Sequence, residues 1–167
     1  MNQAAIYAGT FDPITLGHLD VIERAVRIFP RLVVAVAARP NKTPLFEVAR
    51  RVELVREAIV PFLGVEAESF DGLLVEYARK KKITCVIRGL RAFSDFEFEF
   101  QMALTNRKLA PDIETLFLMP KEDYSYISSG AVREIASLGG CVEEFVPSGS
   151  SEALRKFFLQ REAGAPL

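Results

Sequence analysis

Residues 4–37 read AAIYAGTFDPITLGHLDVIERAVRIFPRLVVAVA, and the succession of apolar patterns in that stretch sets the fold class. Ala4 to Ala8 is short, continuous and apolar and runs into Gly9, which suits a buried strand. From Gly17 to Phe29 the apolar residues Val21, Ile22, Ala25, Val26 and Phe29 recur at spacings of three and four, an amphipathic helix stopped by Pro30. Leu32 to Ala37 is again continuous and rich in β-branched residues, a strand covered on both faces. A strand, a helix and a second buried strand imply parallel pairing through a right-handed crossover.

Outward from this unit the alternation continues to the end of the chain. Val48 to Val60 is helical, with Val52, Leu54, Val55, Ala58 and Ile59 on one side and Pro61 beyond. Val65 to Phe70 reads as a weaker strand, Leu73 to Lys81 as a helix, and Ile83 to Ile87 as a strand stopped by Arg88-Gly89. Ser94 to Leu109 contains the alternation Phe96-Glu97-Phe98-Glu99-Phe100, which on its own suits a strand. Ser94 with Glu97 forms a capping box, however, and Phe93, Phe96, Phe100, Ala103 and Leu104 keep helical spacing. A helix is expected, with Phe96 and Phe100 toward the domain core and Phe98 turned elsewhere. Ile113 to Met119 is a strand ended by Pro120, and Ser129 to Leu138 and Glu152 to Arg161 are the last helices. The expected architecture is α/β: a single doubly wound parallel sheet, Rossmann-like, of order 3-2-1-4-5, with helices on both faces. No linker or repeat divides residues 1–167, so one domain is expected. Its ligand belongs beyond the carboxyl ends of the strands, where strand order reverses.

Composition narrows the function. The chain has 167 residues, 50% hydrophobic and 26% charged, enough to bury roughly 70% of its unfolded surface. Disorder and a disulfide-built miniprotein are thereby excluded. With 21 Lys and Arg against 22 Asp and Glu, the formal charge of -1 argues against a general nucleic-acid binder but leaves room for a small anion held by local cations. The start lacks the basic and apolar regions of a secretion signal, and Leu32 to Ala38 is too short to span a membrane. Cys85 and Cys141, without CxxC spacing, read as reduced, mostly buried thiols of a cytoplasmic protein.

The loop from Gly9 to His18 carries the chemistry. Gly9 allows a sharp turn, Thr10 puts a hydroxyl at the strand tip, and Gly17 removes a side chain that would keep a ligand from the helix start, where unpaired N–H groups attract anions. His18 is the only histidine and sits in the first turn of that helix. By residue type alone such a histidine is more often a surface or core residue than a functional one. The dinucleotide fingerprint, the Walker loop, the nucleophile elbow and the HExxH motif are all missing. Lys42 follows the second strand, and Arg88-Gly89-Leu90-Arg91 follows the fourth. In the expected strand order the fourth strand lies beside the first, so the two arginines would face Thr10 and His18 and offer multidentate contacts to phosphate oxygens. Arg79 to Lys82 ends a helix, and there cations complement the dipole as a solvated face. Serines before the helix at 129 are ordinarily N-caps.

The string Gly9-Thr10-Phe11-Asp12-Pro13-Ile14-Thr15-x-Gly17-His18 resembles the T/HxGH superfamily of nucleotidylyltransferases. Asn41-Lys42, Ile87 to Arg91, Asp95 to Glu99, Asn106-Arg107, Phe117 to Pro120 and Ile127 to Ser129 narrow the likeness to the phosphopantetheine adenylyltransferase family. The resemblance implies transfer of the adenylyl group of ATP to 4′-phosphopantetheine, giving dephospho-CoA and pyrophosphate. The transfer would be direct and in-line, with no covalent enzyme intermediate. It assigns catalysis to His18, Thr10, Lys42 and Arg91, and the phosphopantetheine side to Thr10, Lys42, Leu74 and Arg88. It assigns ATP to Thr10, Phe11, His18, Gly89, Leu90, Arg91, Glu99, Tyr124, Ser125, Tyr126, Ile127, Ser128, Ser129 and Gly130. Gly130 stands where the family usually has a third serine. Mg2+ is expected, bound largely by nucleotide oxygens and water, since the sequence shows no dense carboxylate cluster, and neither nucleic acid nor membrane is expected as partner; the likeness adds a homohexamer and CoA as a feedback ligand. A related nucleotidylyltransferase with another acceptor is the alternative, although those enzymes typically end closer to Ile-Ser-Thr-Thr. A nucleotide-binding regulator without chemistry is the other.

Overall fold

The computed structural model describes residues 4–39, 43–91 and 93–162, with no side-chain environment for 93–95 and 162. Five strands, β1 (Ala4–Gly9), β2 (Arg31–Ala37), β3 (Val65–Phe70), β4 (Cys85–Gly89) and β5 (Glu114–Leu118), form one parallel sheet of order β3-β2-β1-β4-β5. Between and after them run α1 (Leu16–Val26), α2 (Val48–Ile59), α3 (Leu74–Lys81), α4 (Phe93–Leu109), α5 (Ser129–Ser137) and α6 (Ser148–Glu162). This is the α/β sheet and strand order expected from the alternation.

The continuous apolar strands are read out on both faces because successive side chains point oppositely. Ala5 and Tyr7 of β1, Leu32, Val34 and Val36 of β2 and Ile87 of β4 pack against α1, α2, α5 and α6. Ile6, Ala8, Val33, Ala35 and Val86 face the other way, against Val75 and Ala78 of α3 and Ala110 and Ile113 beyond α4. Parallel registry from Ala4 opposite Arg31 to Gly9 opposite Val36, and Tyr7 opposite Ile87, brings the ends of β1, β2 and β4 to one rim. The crossover loops that follow these strands share that rim.

Several boundaries and orientations differ from expectation. Helix α1 starts at Leu16 and ends at Val26, because Arg27 already caps it through bonds to the Arg24 and Ala25 carbonyls. Strand β4 runs through Arg88-Gly89 instead of stopping before them, since both pair with Phe117 and Leu118 of β5. Helix α6 begins at Ser148, four residues early. Phe96, Phe98 and Phe100 are all about half exposed, and Phe96 stacks on Phe100 on the surface of α4 rather than entering the domain core. The proposed Ser94 side-chain cap lies outside the described side chains. Among the described residues no helix is long and apolar enough to cross a membrane.

The thiols also diverge. Cys85 is buried, and that burial raises its pKa to about 11, whereas Cys141 is exposed after the turn at Gly139-Gly140. A thiol-specific reagent at pH 8 should therefore label one cysteine rapidly in the native protein and the second only after denaturation, since the thiolate is the reactive form. Rapid labelling of both in the folded chain would contradict this burial.

Candidate active site

The loop after β1 is held by its neighbours on two sides. Asp12 is buried, and its carboxylate accepts the N–H groups of Leu45 at 2.7 Å and Phe46 at 3.0 Å, in the segment that leads into α2. From α5, Arg133 donates to the Asp12 carboxylate at 3.2 Å and to the Asp12 carbonyl, and Ser129 Oγ donates to the Pro13 carbonyl at 2.8 Å. Phe11 takes φ +49°, a left-handed backbone that costs a bulky residue on the order of 1–3 kcal/mol. Its ring is buried edge-on to Tyr7 and His18, at centroid distances of 5.3 and 5.0 Å, which holds it there. Thr10 is left exposed at the rim, with its backbone carbonyl accepting from Arg51 at 2.8 Å.

His18 is oriented by the start of its own helix. Thr15 is the N-cap, its hydroxyl accepting the His18 N–H at 3.3 Å, and its own N–H donates to His18 Nδ1 at 3.0 Å. This is a capping box with histidine in the place usually taken by glutamate. Because a backbone N–H occupies it, Nδ1 carries the lone pair and the ring proton sits on Nε2. Burial pushes the His18 pKa down to about 3, and the charges of Arg91 and Arg88 push in the same direction. The ring is thus a neutral donor of fixed tautomer. Between about pH 3 and the ordinary value of 6.5 the unfolded chain binds a proton here that the native chain does not, so this site weakens folding as pH falls through that window. As His18 is the only histidine, its ring NMR signals are assignable without mutation. They should stay those of a neutral Nε2–H imidazole from pH 8 to 5 in the free protein; a titration midpoint near 6.5 would remove this picture.

From β4, Arg88 offers its Nε and one terminal nitrogen to the two carboxylate oxygens of Glu99 on α4, at 2.7 and 2.5 Å, and its other terminal nitrogen to the Ala8 carbonyl of β1. Arg91, just past β4, donates to the Ile127 carbonyl at 3.0 Å and so ties its loop to residues 124–130. A Cβ on Gly89 would approach the Tyr7 hydroxyl to 3.3 Å. That phenol, raised by burial beyond its usual range, keeps its proton.

Residues 124–130 lie over the start of α1. Gly17 is buried, and an added Cβ there would meet the Tyr124 carbonyl at 3.3 Å, so its missing side chain makes room for this segment of the chain. Ser125 donates to the Glu122 carbonyl, Ser128 caps α5 through the Ala131 N–H, and Tyr126 is exposed. Gly130 is exposed, and a Cβ there would come only within 3.8 Å of Ser128 Oγ, ordinary contact that leaves room for a serine.

The structure thus brings Thr10, Phe11, His18, Arg88, Gly89, Leu90, Arg91, Glu99 and 124–130 to the ends of β1, β4 and β5. Leu74 stands apart, at the start of α3 after β3, and like Phe70 and Tyr77 packs against the core cluster that includes Ile6, Ala8 and Val33. Lys42 lies outside the described residues. Sequence reasoning left Asp12 and Arg133 without a task and passed over Arg51. For Arg51 the signal was present: it shares a helical face with Leu54 and Val55, where an arginine is out of place.

The rim presents guanidinium groups, a neutral imidazole N–H and an exposed hydroxyl, a donor set for phosphate oxygens. A family described as cytidylyltransferase-like matches residues 6–135, which fixes the class as nucleotidylyltransferase-like. Phosphopantetheine adenylyltransferases from Caldanaerobacter subterraneus subsp. tengcongensis, Anaeromyxobacter sp. strain K and Hahella chejuensis are 51%, 53% and 54% identical to the chain. The matches cover 93%, 99% and 94% of this chain and 98% of each relative. The chain belongs to the phosphopantetheine adenylyltransferase family. Two solved structures share the fold at low identity. One, a Vibrio parahaemolyticus protein assigned as a nicotinate-nucleotide adenylyltransferase, has TM-score 0.71, 21% identity and 97% coverage of both chains. The other, Plasmodium falciparum nicotinic acid mononucleotide adenylyltransferase, has TM-score 0.70, 14% identity and coverage of 96% of this chain and 98% of its own.

Proposed function

We propose that this chain, as one nucleotidylyltransferase domain spanning residues 1–167, transfers the adenylyl group of ATP to 4′-phosphopantetheine in coenzyme A biosynthesis. A 4′-phosphate oxygen forms the new bond to the α-phosphorus of ATP. The bond from that phosphorus to the α–β bridging oxygen breaks, and its electron pair leaves with pyrophosphate. The phosphate is already a competent nucleophile, so catalysis comes from aligning two polyanions and stabilising charge in the transition state.

The fixed tautomer of His18 carries the assignment. With Nδ1 held by the Thr15 N–H, Nε2–H is the one donor the ring has for an α-phosphate oxygen. Thr10 orients the incoming phosphate, Lys42 and Arg88 offset its charge, and Leu74 meets the acceptor's backbone. Arg91 and the N–H groups of 124–130 hold the triphosphate, and Phe11 contributes through its backbone because its ring is buried.

Among the described residues no group of three His, Cys, Asp or Glu is placed to hold a metal, and the Glu99 carboxylate is engaged by Arg88. This donor set suits polyphosphate oxygens. The Mg2+ expected with ATP is assigned to nucleotide oxygens and water, where it would neutralise polyphosphate charge. The exposed aromatic face of α4 supports a homohexamer, which light scattering at micromolar concentration would reveal. CoA is proposed as a feedback ligand and the cytoplasm as the compartment.

The deciding experiment incubates purified protein with ATP, Mg2+ and either 4′-phosphopantetheine, nicotinate mononucleotide or a cytidylyl acceptor. Dephospho-CoA by mass spectrometry, with matching pyrophosphate release, is the expected result. Turnover with another acceptor only, or tight ATP binding without pyrophosphate, would overturn the assignment.

A further inference from the structure

Among the described residues Arg51 is the largest fully buried side chain, at 0% exposure, and its guanidinium is hydrogen-bonded to backbone oxygens. It donates to the Phe46 carbonyl at 2.9 Å, the Thr10 carbonyl at 2.8 Å, the Ala37 carbonyl at 2.9 Å and the Ala38 carbonyl at 3.5 Å. Asp12 and Glu47 are the charges that counter its burial. A buried cation is costly, and an apolar side chain of similar volume often replaces one without loss of stability. What an apolar residue cannot do is hold carbonyls from separate segments in one plane, the geometry a guanidinium fork imposes.

The segments it gathers are functionally connected. Thr10 follows β1, Ala37 ends β2 with Ala38 just beyond it, and Phe46 belongs to the same segment whose N–H groups grip Asp12. Asp12 and Arg51 therefore clasp one peptide stretch from its N–H side and its C=O side. The nucleotide side has anchors that do not touch Arg51's partners, Arg91 to Ile127 and Ser129 to Pro13, while Arg133 ties α5 to Asp12.

We infer that Arg51 is a positioning residue that registers the end of β1 against the end of β2, setting Thr10 for the acceptor phosphate, with little influence on ATP. This rests on the functional assignment above, in which Thr10 orients the acceptor phosphate. The test compares wild type with Arg51→Lys, which keeps the charge and loses the fork, in steady-state assays with each substrate varied in turn. The KM for 4′-phosphopantetheine should rise about 10- to 100-fold while that for ATP stays within about threefold, as misplacing a positioning group by an ångström can cost two orders of magnitude. Arg51→Gln, which retains a planar amide donor without charge, should lie between wild type and lysine, and it serves if the lysine variant does not accumulate. A lowered Tm with an unchanged ratio of the two KM values, or equal losses on both substrates, would reduce Arg51 to a structural role and overturn the inference. Wild type failing to form dephospho-CoA would instead remove the functional assignment, and the inference with it.

Discussion

His18→Ala is expected to lower kcat by roughly two to four orders of magnitude, the scale of losing one well-placed donor to developing charge. KM values for both substrates should move much less, because the donor matters most when charge builds on the α-phosphate oxygens. The imidazole is not an acid or base in this account. Its Nδ1 is engaged by the Thr15 N–H, and its pKa is pushed to about 3, so Nε2–H is present across the working range. A pH profile of wild-type kcat should accordingly show no break from His18 between pH 5 and 8. Alanine also removes the acceptor at Nδ1 and so loosens the cap of α1, a loss of about 0.5–2 kcal/mol on typical capping energetics. His18→Asn separates the two effects: its carbonyl restores an acceptor for Thr15, but its amide does not reach where Nε2–H stands. Stability should return with asparagine while kcat stays low. Near-normal turnover in either variant would remove His18 from the chemistry.

The parts of the protein legible in its sequence are those set by short-range pattern. Alternating continuous apolar strands and amphipathic helices dictated a parallel sheet, and the β1–β4 adjacency followed from chirality and strand order, which is why Arg88 and Arg91 could be placed opposite His18. What stayed hidden depends on distant partners. Asp12 meets Leu45 and Phe46 some 34 residues away, and Arg51 meets Thr10 across 41, so neither contact leaves a local trace. Arg88 looked like a free phosphate ligand, although its fork is already filled by Glu99. Ser148-Gly149-Ser150-Ser151 has the composition of a loop, yet it forms the first turn of α6 because packing of Ala153 and Leu154 into the core outweighs weak helix propensity. The α4 aromatics show the limit of periodicity: spacing identifies the helix but not whether its apolar face meets its own sheet or is left uncovered.

The filled fork of Arg88 makes the second large effect, because truncating it acts twice. In the proposed reaction Arg88→Ala removes a cation that faces the acceptor phosphate, and it leaves Glu99, whose side chain is 12% exposed, as an anion without that partner. Both changes oppose phosphate binding, and kcat/KM for 4′-phosphopantetheine should fall by about 10²- to 10⁴-fold, the range seen when one partner of a mostly buried charge pair is truncated. Adding Glu99→Gln to that variant should recover about tenfold, since the stranded charge is gone and only the lost cation remains. Glu99→Gln alone keeps Arg88 and its bond to the Ala8 carbonyl but weakens its anchor on α4. Its cost should be smaller than that of Arg88→Ala and should fall on the acceptor KM more than on kcat. The three variants and wild type form a double-mutant cycle, read from initial rates of pyrophosphate release. Strictly additive losses, with the double variant worse than Arg88→Ala, would mean that Glu99 contributes to substrate binding directly and that its pairing with Arg88 is incidental to the reaction.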